Sequence, residues 1–438
     1  SWTSGVLWGT PLLVLLIGTH LYLTVRLKFI QRMLIPAIRL TFQKPGDGAG
    51  DVSHFGALMT ALAATVGAGN IVGVAVAIGA GGPGALFWMW LTGVFGIATK
   101  YAEAFLSVKY RVKNERGEMS GGPMFVLEHG LKWKWLGVLF AVFTAIAAFG
   151  IGNMFQAKAV TQQVVDLLPG MEAGTVRSMV GIVMAVAVGA VLIGGIKWIS
   201  RACAVVVPVM VVLYVVGCLV LILMNITELP AALALIFTDA FTGQAAAGGA
   251  LGVVLQQGVK RGLFSNESGL GSAPIAAAAA KTTNSAQQAL VSMTGTFWDT
   301  VVVCALTGIA LVITGAWDEG GEGAVMTADA FQKIPYLGQA VITTALVTFV
   351  FSTLLGWSYY GEKAIEYLGG VRFVIAYRIL WVIAIYVGAV FPSGLVINFA
   401  DSANALMAVP NLISLLALSA LLARETDREL RDPLTFLR

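Results

Sequence analysis

Charge is what this chain most lacks. Lys and Arg number 27 and Asp and Glu 23, together 11% of 438 residues, against about 25% in a soluble domain. That scarcity excludes a water-soluble enzyme and a charge-rich disordered chain. Cysteine is equally scarce. Cys203, Cys218 and Cys304 each lie within an apolar run, so they read as small core residues with no disulfide framework. His20, His54 and His129 are scattered without metal-ligand spacing. No His/Asp or paired-carboxylate constellation appears, which argues against a membrane-embedded enzyme. The N-terminal stretch has neither a basic n-region nor a small-residue cleavage site, so no cleavable signal peptide is expected.

Apolar residues are what the chain has in excess: 58%, with mean hydropathy +0.85 and 51 glycines. Long apolar runs recur to the end, as in a polytopic helical membrane protein. Eleven segments stand out: 5–25, 54–80, 85–110, 136–168, 175–195, 200–224, 247–281, 287–315, 337–367, 372–392 and 394–423. Most exceed the ~20 residues a crossing helix needs. Between the first two, Lys28–Lys44 alternates Phe29, Ile30, Met33, Leu34 and Ile38 with Arg32 and Arg39, which predicts an amphipathic helix lying in the headgroup region.

Positive charge falls on alternate loops. One set carries Arg26 to Lys44, Lys109 to Lys134, Lys197 and Arg201, Lys281, Arg372, and Arg424 to Arg438; the other offers only Arg177 and Lys333 among many acids. The positive-inside rule then puts the N-terminus outside the cell and the C-terminus in the cytoplasm of a multi-pass plasma-membrane protein.

Two segments are poor continuous helices. The second holds Gly67-Ala68-Gly69-Asn70 between apolar flanks, and each Gly weakens a helix by about 1 kcal/mol relative to Ala. Backbone that opens there must line a cavity or be buried in protein; a close helix–helix contact of small residues explains the same pattern. The seventh runs Gln256 to Pro274 through Lys260, Arg261, Ser265, Asn266, Glu267, Ser268 and Ser272, too polar for a lipid-facing helix. The two lie five spans apart. Because five is odd, the second group of five spans is inverted relative to the first, the plan of many secondary transporters. The expected organisation is therefore a first helix plus interfacial helix (1–53), a five-helix repeat (54–224), its inverted counterpart (247–423) and a cytoplasmic tail (424–438). Half-helix N-termini would receive an anionic group near Gly69 and Asn70. Carbonyls near Phe264, Ser265 and Asn266 would receive an ammonium. A zwitterion carried with Na⁺ suits this arrangement.

At these residues the chain resembles the alanine or glycine:cation symporter family, the sodium:alanine symporters. The resemblance rests on Gly56–Gly84, with its Ala63–Gly73 core, and on Gly258–Lys281, with Gly262–Pro274; Trp88–Arg111 and Gly356–Glu362 also match. It runs nearly end to end. It implies the leucine-transporter-like all-α fold, five plus five inverted helices behind one extra helix, and Na⁺-coupled uptake of alanine or glycine without an organic cofactor, nucleic acid or obligate protein partner. It also implies a Na⁺ site on the carbonyls of Ala63, Val66 and Phe349 and the hydroxyls of Ser352 and Thr353. Neutral oxygens suit a weakly held hard cation. Hydroxyls in membrane helices also commonly bond their own backbone.

The candidate substrate contacts are Thr65, Gly67, Gly69, Asn70, Gln156, Phe264, Ser265, Asn266, Thr353 and Trp357. Phe264 and Trp357 would keep the pocket small. Lys100 and Glu103 read as a structural i, i+3 ion pair; Lys260, Arg261 and Glu267 read as pairing locally beside the break. Asp299, an isolated acid within its span, is a candidate for binding a proton or a cation, and H⁺ coupling through Asp299 or Glu267 is the rival mechanism. A channel would need a continuous polar stripe along several spans, whereas polarity here gathers near mid-membrane.

Overall fold

The computed structural model describes residues 8–43, 48–241, 250–321 and 323–431, without the side chains of 250, 251, 393–401 and 403. Lys44, the stretch 247–249 and the tail beyond 431 lie outside the described residues. We label the helices that frame the site α1 (Thr10–Arg26), α2 (Leu34–Thr41), α3 (His54–Thr65), α4 (Val74–Gly81), α5 (Ala85–Lys109), α6 (Lys134–Ala147), α7 (Phe155–Leu167), α8 (Ala173–Leu192), α9 (Gly195–Met224), α10 (Ala250–Asn266), α11 (Pro274–Ala277), α12 (Ser285–Thr296), α13 (Ala305–Ile313), α14 (Gly338–Gly369), α15 (Val374–Val390), α16 (Ser393–Ala417) and α17 (Ser419–Arg431).

Six helical stretches among the described residues are long and apolar enough to cross a bilayer: 134–167, α8, α9, 285–313, α14 and 371–390. Three bent pairs raise the number to nine: α1 with 30–41 (67°), α3 with 69–81 (51°) and 404–417 with α17 (64°). By length and composition, six to nine of the eleven expected spans are thus picked out among the described residues. The two remaining segments are α5, which buries Lys100 and Glu103, and the polar, interrupted α10–α11. The last segment also differs from expectation. Its helix stops at Ala417 and turns into the polar α17, which continues as helix through Arg431 where a tail was expected.

The helices sort into two groups. Against α5 pack α10 and α12, and α10 also meets α4. In the other group α8 packs on α15, and α14 packs on both α9 and α6. The groups meet along α3, which lies against α9 and α14. Contact there is close because Gly356 has no side chain: a Cβ would sit 2.7 Å from the Ala64 nitrogen.

Polar pairing beyond the helix ends holds the two broken helices side by side. The chain leading into α3 bonds to the chain leaving α11, with Asp51 N–H donating to the Ala279 carbonyl (2.7 Å) and Lys281 N–H to that of Val52 (2.8 Å). Arg111, just past α5, donates to the carbonyls of Ala278 (2.8 Å), Ala280 (2.7 Å), Ala49 (2.7 Å) and Thr282 (3.0 Å). Burial lowers the Arg111 guanidinium below its usual pKa and raises the Asp51 carboxyl above its own. A cation so deeply committed to carbonyls is a structural clamp. Arg111→Ala strips donors from buried carbonyls, at about 1–3 kcal/mol for each one left unpaired. A clear fall in the thermal unfolding temperature is expected, read by tryptophan fluorescence in detergent.

Candidate functional site

The first break starts from the residues that cannot continue α3. Ser53 caps its start, its hydroxyl accepting from Gly56 N–H at 3.0 Å. At the other end Val66 is already extended (φ −79°, ψ 91°). The next two amides turn to side chains. Gly67 N–H donates to Asn70 Oδ1 (2.9 Å), and Ala68 N–H to Gln156 Oε1 (3.1 Å). In an unbroken helix those amides would bond the carbonyls of Ala63 and Ala64; here both carbonyls are released. The chain resumes through a widened π-type turn at Gly69–Gly73. Similar turns occupy 148–154 and 297–304, the stretches that flank Gln156 and contain Asp299. Such turns often mark functional sites.

The second break follows the same logic. α10 ends at Asn266, and Glu267 takes a left-handed conformation (φ +56°). The amides that would continue the helix go elsewhere. Ser268 N–H donates to Asn266 Oδ1 (2.9 Å), Gly269 N–H to Glu103 Oε1 (3.0 Å) and Leu270 N–H to the Glu267 carbonyl (3.2 Å). The carbonyls of Phe264, Ser265 and Asn266 thereby lose their helical donors and carry the negative end of the α10 dipole. Gly269 (φ +90°) and Gly271 (φ +83°) adopt a turn that L side chains resist, and both amides converge on Glu103 Oε1 at 3.0 Å.

The breaks touch. A Cβ on Gly69 would lie 3.7 Å from Phe264 Cδ1 and from Ser265 Cα. Asp299, fully buried, bridges them: Oδ1 accepts from Asn70 Nδ2 (2.8 Å), while Oδ2 accepts from the hydroxyls of Ser265 (2.9 Å) and Thr300 (2.7 Å). Phe155 meets Phe264 edge-on, with centroids 5.5 Å apart.

On the other side of the first break stands α14. Ser352 Oγ lies 3.5 Å from the Ala63 carbonyl, and the hydroxyls of Ser352 and Thr353 both donate to the Phe349 carbonyl at 2.9 Å. Thr353 Oγ1 lies 2.4 Å from where a Gly67 Cβ would project. With their hydrogens directed at Phe349, both hydroxyls keep lone pairs that can accept a cation. Gly356→Val would push α14 off α3 at this point. We expect it to weaken any Na⁺ effect on alanine binding severely while helix content by circular dichroism holds.

Among the described residues two interrupted helices therefore expose backbone dipoles to each other beside a cluster of uncharged oxygens. Comparison with known proteins agrees with this architecture. The model of the sodium:alanine symporter family matches residues 1–431. The chain belongs to that family. It is thus a membrane transporter, not an enzyme. The sodium/alanine symporter AgcS of Methanococcus maripaludis is 51% identical over 97% of this chain and 95% of its own. The probable sodium/glutamine symporter GlnT of Bacillus subtilis is 38% identical over 95% of this chain and 87% of its own. The crystal structure of MhsT in complex with L-phenylalanine shares the fold, with TM-score 0.60 and 16% identity over 88% of this chain and 98% of that one.

Some sequence-derived residues of this transporter occupy different positions from those expected. Of the two amides expected to receive an anion, that of Asn70 is directed to the Gly67 carbonyl at 3.1 Å. The Asn70 side chain holds the break shut at Gly67 and Asp299. Phe264, Ser265 and Asn266 are still helical; the unwound stretch begins at Glu267. Trp357 presses its ring on Gly152, where a Cβ would come within 2.2 Å, and donates to Glu267 Oε1 at 2.8 Å. The other Glu267 oxygen accepts from Ser272. Thr65 Oγ1 turns to its own helix, 3.4 Å from the Leu62 carbonyl. Glu103 was missed as a site residue. Its signal in the sequence was an acid between two alanines, Ala102 and Ala104, within a membrane-length helix.

Proposed function

We propose that the protein is a secondary symporter that carries a small neutral amino acid, alanine or glycine, into the cell with Na⁺. One observation supports this most directly: the released Ala63 carbonyl faces Ser352 Oγ at 3.5 Å, one residue ahead of Thr353. Ala63, Val66, Phe349, Ser352 and Thr353 then hold Na⁺ between α3 and α14. A carboxylate is received at the first break, where Gln156 Oε1 now occupies the Ala68 N–H as an acceptor. The ammonium meets the C-terminal carbonyls of α10 at Phe264, Ser265 and Asn266. The separation of about one methyl contact between Gly69 and Phe264 favours alanine and glycine over larger side chains.

Coupling follows from shared geometry. Na⁺ fixes the first break against α14, and that same break presents the amides that take the carboxylate. Each ligand must then raise the other's affinity by one factor. Rocking of one helix group against the other alternates access, with the N-terminus outside and the C-terminus in the cytoplasm.

A second reading has one specific observation behind it. Asp299 is buried with only uncharged side-chain donors on its carboxylate, a setting that also suits a bound proton. Uptake of labelled alanine into proteoliposomes separates the two. An inward Na⁺ gradient should drive accumulation, and a pH gradient with choline in place of Na⁺ should not. The reverse pattern would establish H⁺ coupling.

A further inference from the structure

The N-terminal helix α1 stands outside the two repeats, yet it reaches the second break. His20 Nδ1 lies 2.7 Å from Thr99 Oγ1 on α5. A Cβ on Gly269 would be 3.5 Å from His20 Cε1, and the Gly269 amide lies 3.0 Å from Glu103 Oε1. The histidine ring and the Glu103 carboxylate therefore converge on one glycine of the unwound stretch. Lys100 lies one turn before Glu103 on the same helix face.

Three polar atoms here are buried without a hydrogen-bond partner among the described residues: His20 Nε2, Lys100 Nζ and Glu103 Oε2. Their residues are only 1%, 3% and 3% exposed. Lys100 Nζ and Glu103 Oε2 form the expected i, i+3 ion pair at 3.9 Å, a separation too long for a direct hydrogen bond. The other Glu103 oxygen already takes Gly269 N–H, Gly271 N–H and Asn411 Nδ2 (2.6 Å).

The chemistry selects the occupant. A cation would meet the Lys100 ammonium and an anion the Glu103 carboxylate. A small neutral molecule that donates two hydrogen bonds and accepts two meets neither objection. It accepts from Lys100 Nζ and donates to Glu103 Oε2. A second such molecule at the ring edge donates to His20 Nε2 when Nδ1 carries the proton and bonds Thr99. We propose that His20, Lys100 and Glu103 hold ordered internal water that ties the N-terminal helix to the second helix break. Through Glu103 this water steadies the amides of Gly269 and Gly271, so α1 serves the site and is more than an anchor. His20 acts here as a positioning residue.

The test is a structure of the full chain at a resolution that shows ordered water. Density is expected within hydrogen-bond reach of Lys100 Nζ and Glu103 Oε2, and at His20 Nε2. Lys100 bonded directly to protein oxygen, with no such density, would overturn the proposal. Hydrogen exchange supplies a second readout that needs neither alanine nor Na⁺, so its failure is separate from failure of the transport reading. His20→Leu should speed amide exchange at Gly269 and Gly271 about tenfold, and His20→Gln, which keeps a polar tip, should restore most of the protection. Unchanged exchange in His20→Leu would contradict a tie through this water.

Discussion

Gly69→Leu is expected to abolish measurable alanine binding, a loss of at least about 100-fold, or ~2.8 kcal/mol at 1.4 kcal/mol per tenfold. A Cβ alone would fit at Gly69, 3.7 Å from Phe264 and Ser265. The rest of a leucine would not. It would enter the contact between the two breaks, the place proposed for the substrate. The backbone at Gly69 is helical, so the substitution introduces no forbidden conformation, and the helices should persist. Equilibrium binding of labelled alanine, with circular dichroism as the control for folding, checks this. Unchanged alanine affinity would remove the carboxylate from the first break.

The second large effect concerns the ion. Replacing Ser352 and Thr353 together by Ala removes both hydroxyls that face the first break and leaves the carbonyls of Ala63 and Phe349 in place. The Na⁺ concentration for half-maximal alanine binding should rise more than about tenfold, since two of the proposed oxygen ligands are lost. Alanine affinity at saturating Na⁺ should recover, because the amides proposed to take the carboxylate are untouched. A loss of alanine affinity that no Na⁺ concentration repairs would mean that these hydroxyls serve the substrate instead. Thr353→Ser, which keeps the oxygen, separates lost coordination from lost packing.

Much of the site could be read from sequence because its causes are local. Two glycines and an asparagine within four residues predicted the first break at Gly67–Asn70. The crowding of polar residues after Leu263 predicted the second. Both breaks are present, and the hydroxyls of Ser352 and Thr353, which the family resemblance singled out, lie beside Ala63 and Gly67. What the sequence hides are partners distant in the chain. Asn70 and Asp299 are separated by 229 positions, and Glu103 and Gly269 by 166. Periodicity carries no information on such pairings, so the hold that the Asn70 and Gln156 side chains have on the opened backbone could not be read from the sequence. Likewise the pairing of Glu103 with Lys100 could be read from their i, i+3 spacing, but the binding of the other carboxylate oxygen to two left-handed glycines was invisible. The bend before α17 had no glycine or proline to announce it; Leu418 ends the helix there.

Glu103→Gln should separate the roles of shape and charge at the second break. The isostere keeps an acceptor for Gly269 and Gly271 but removes the charge that strengthens both bonds. Alanine affinity is expected to fall several-fold with little change in Na⁺ dependence, measured by binding at saturating Na⁺.

The central claim is that one opened helix serves two ligands at once, and reciprocity tests it most directly. Na⁺ titrations of the purified protein with and without saturating alanine, and alanine titrations with and without saturating Na⁺, should shift by the same factor, in the direction of mutual tightening. Alanine affinity that is identical in Na⁺ and in choline would contradict the account.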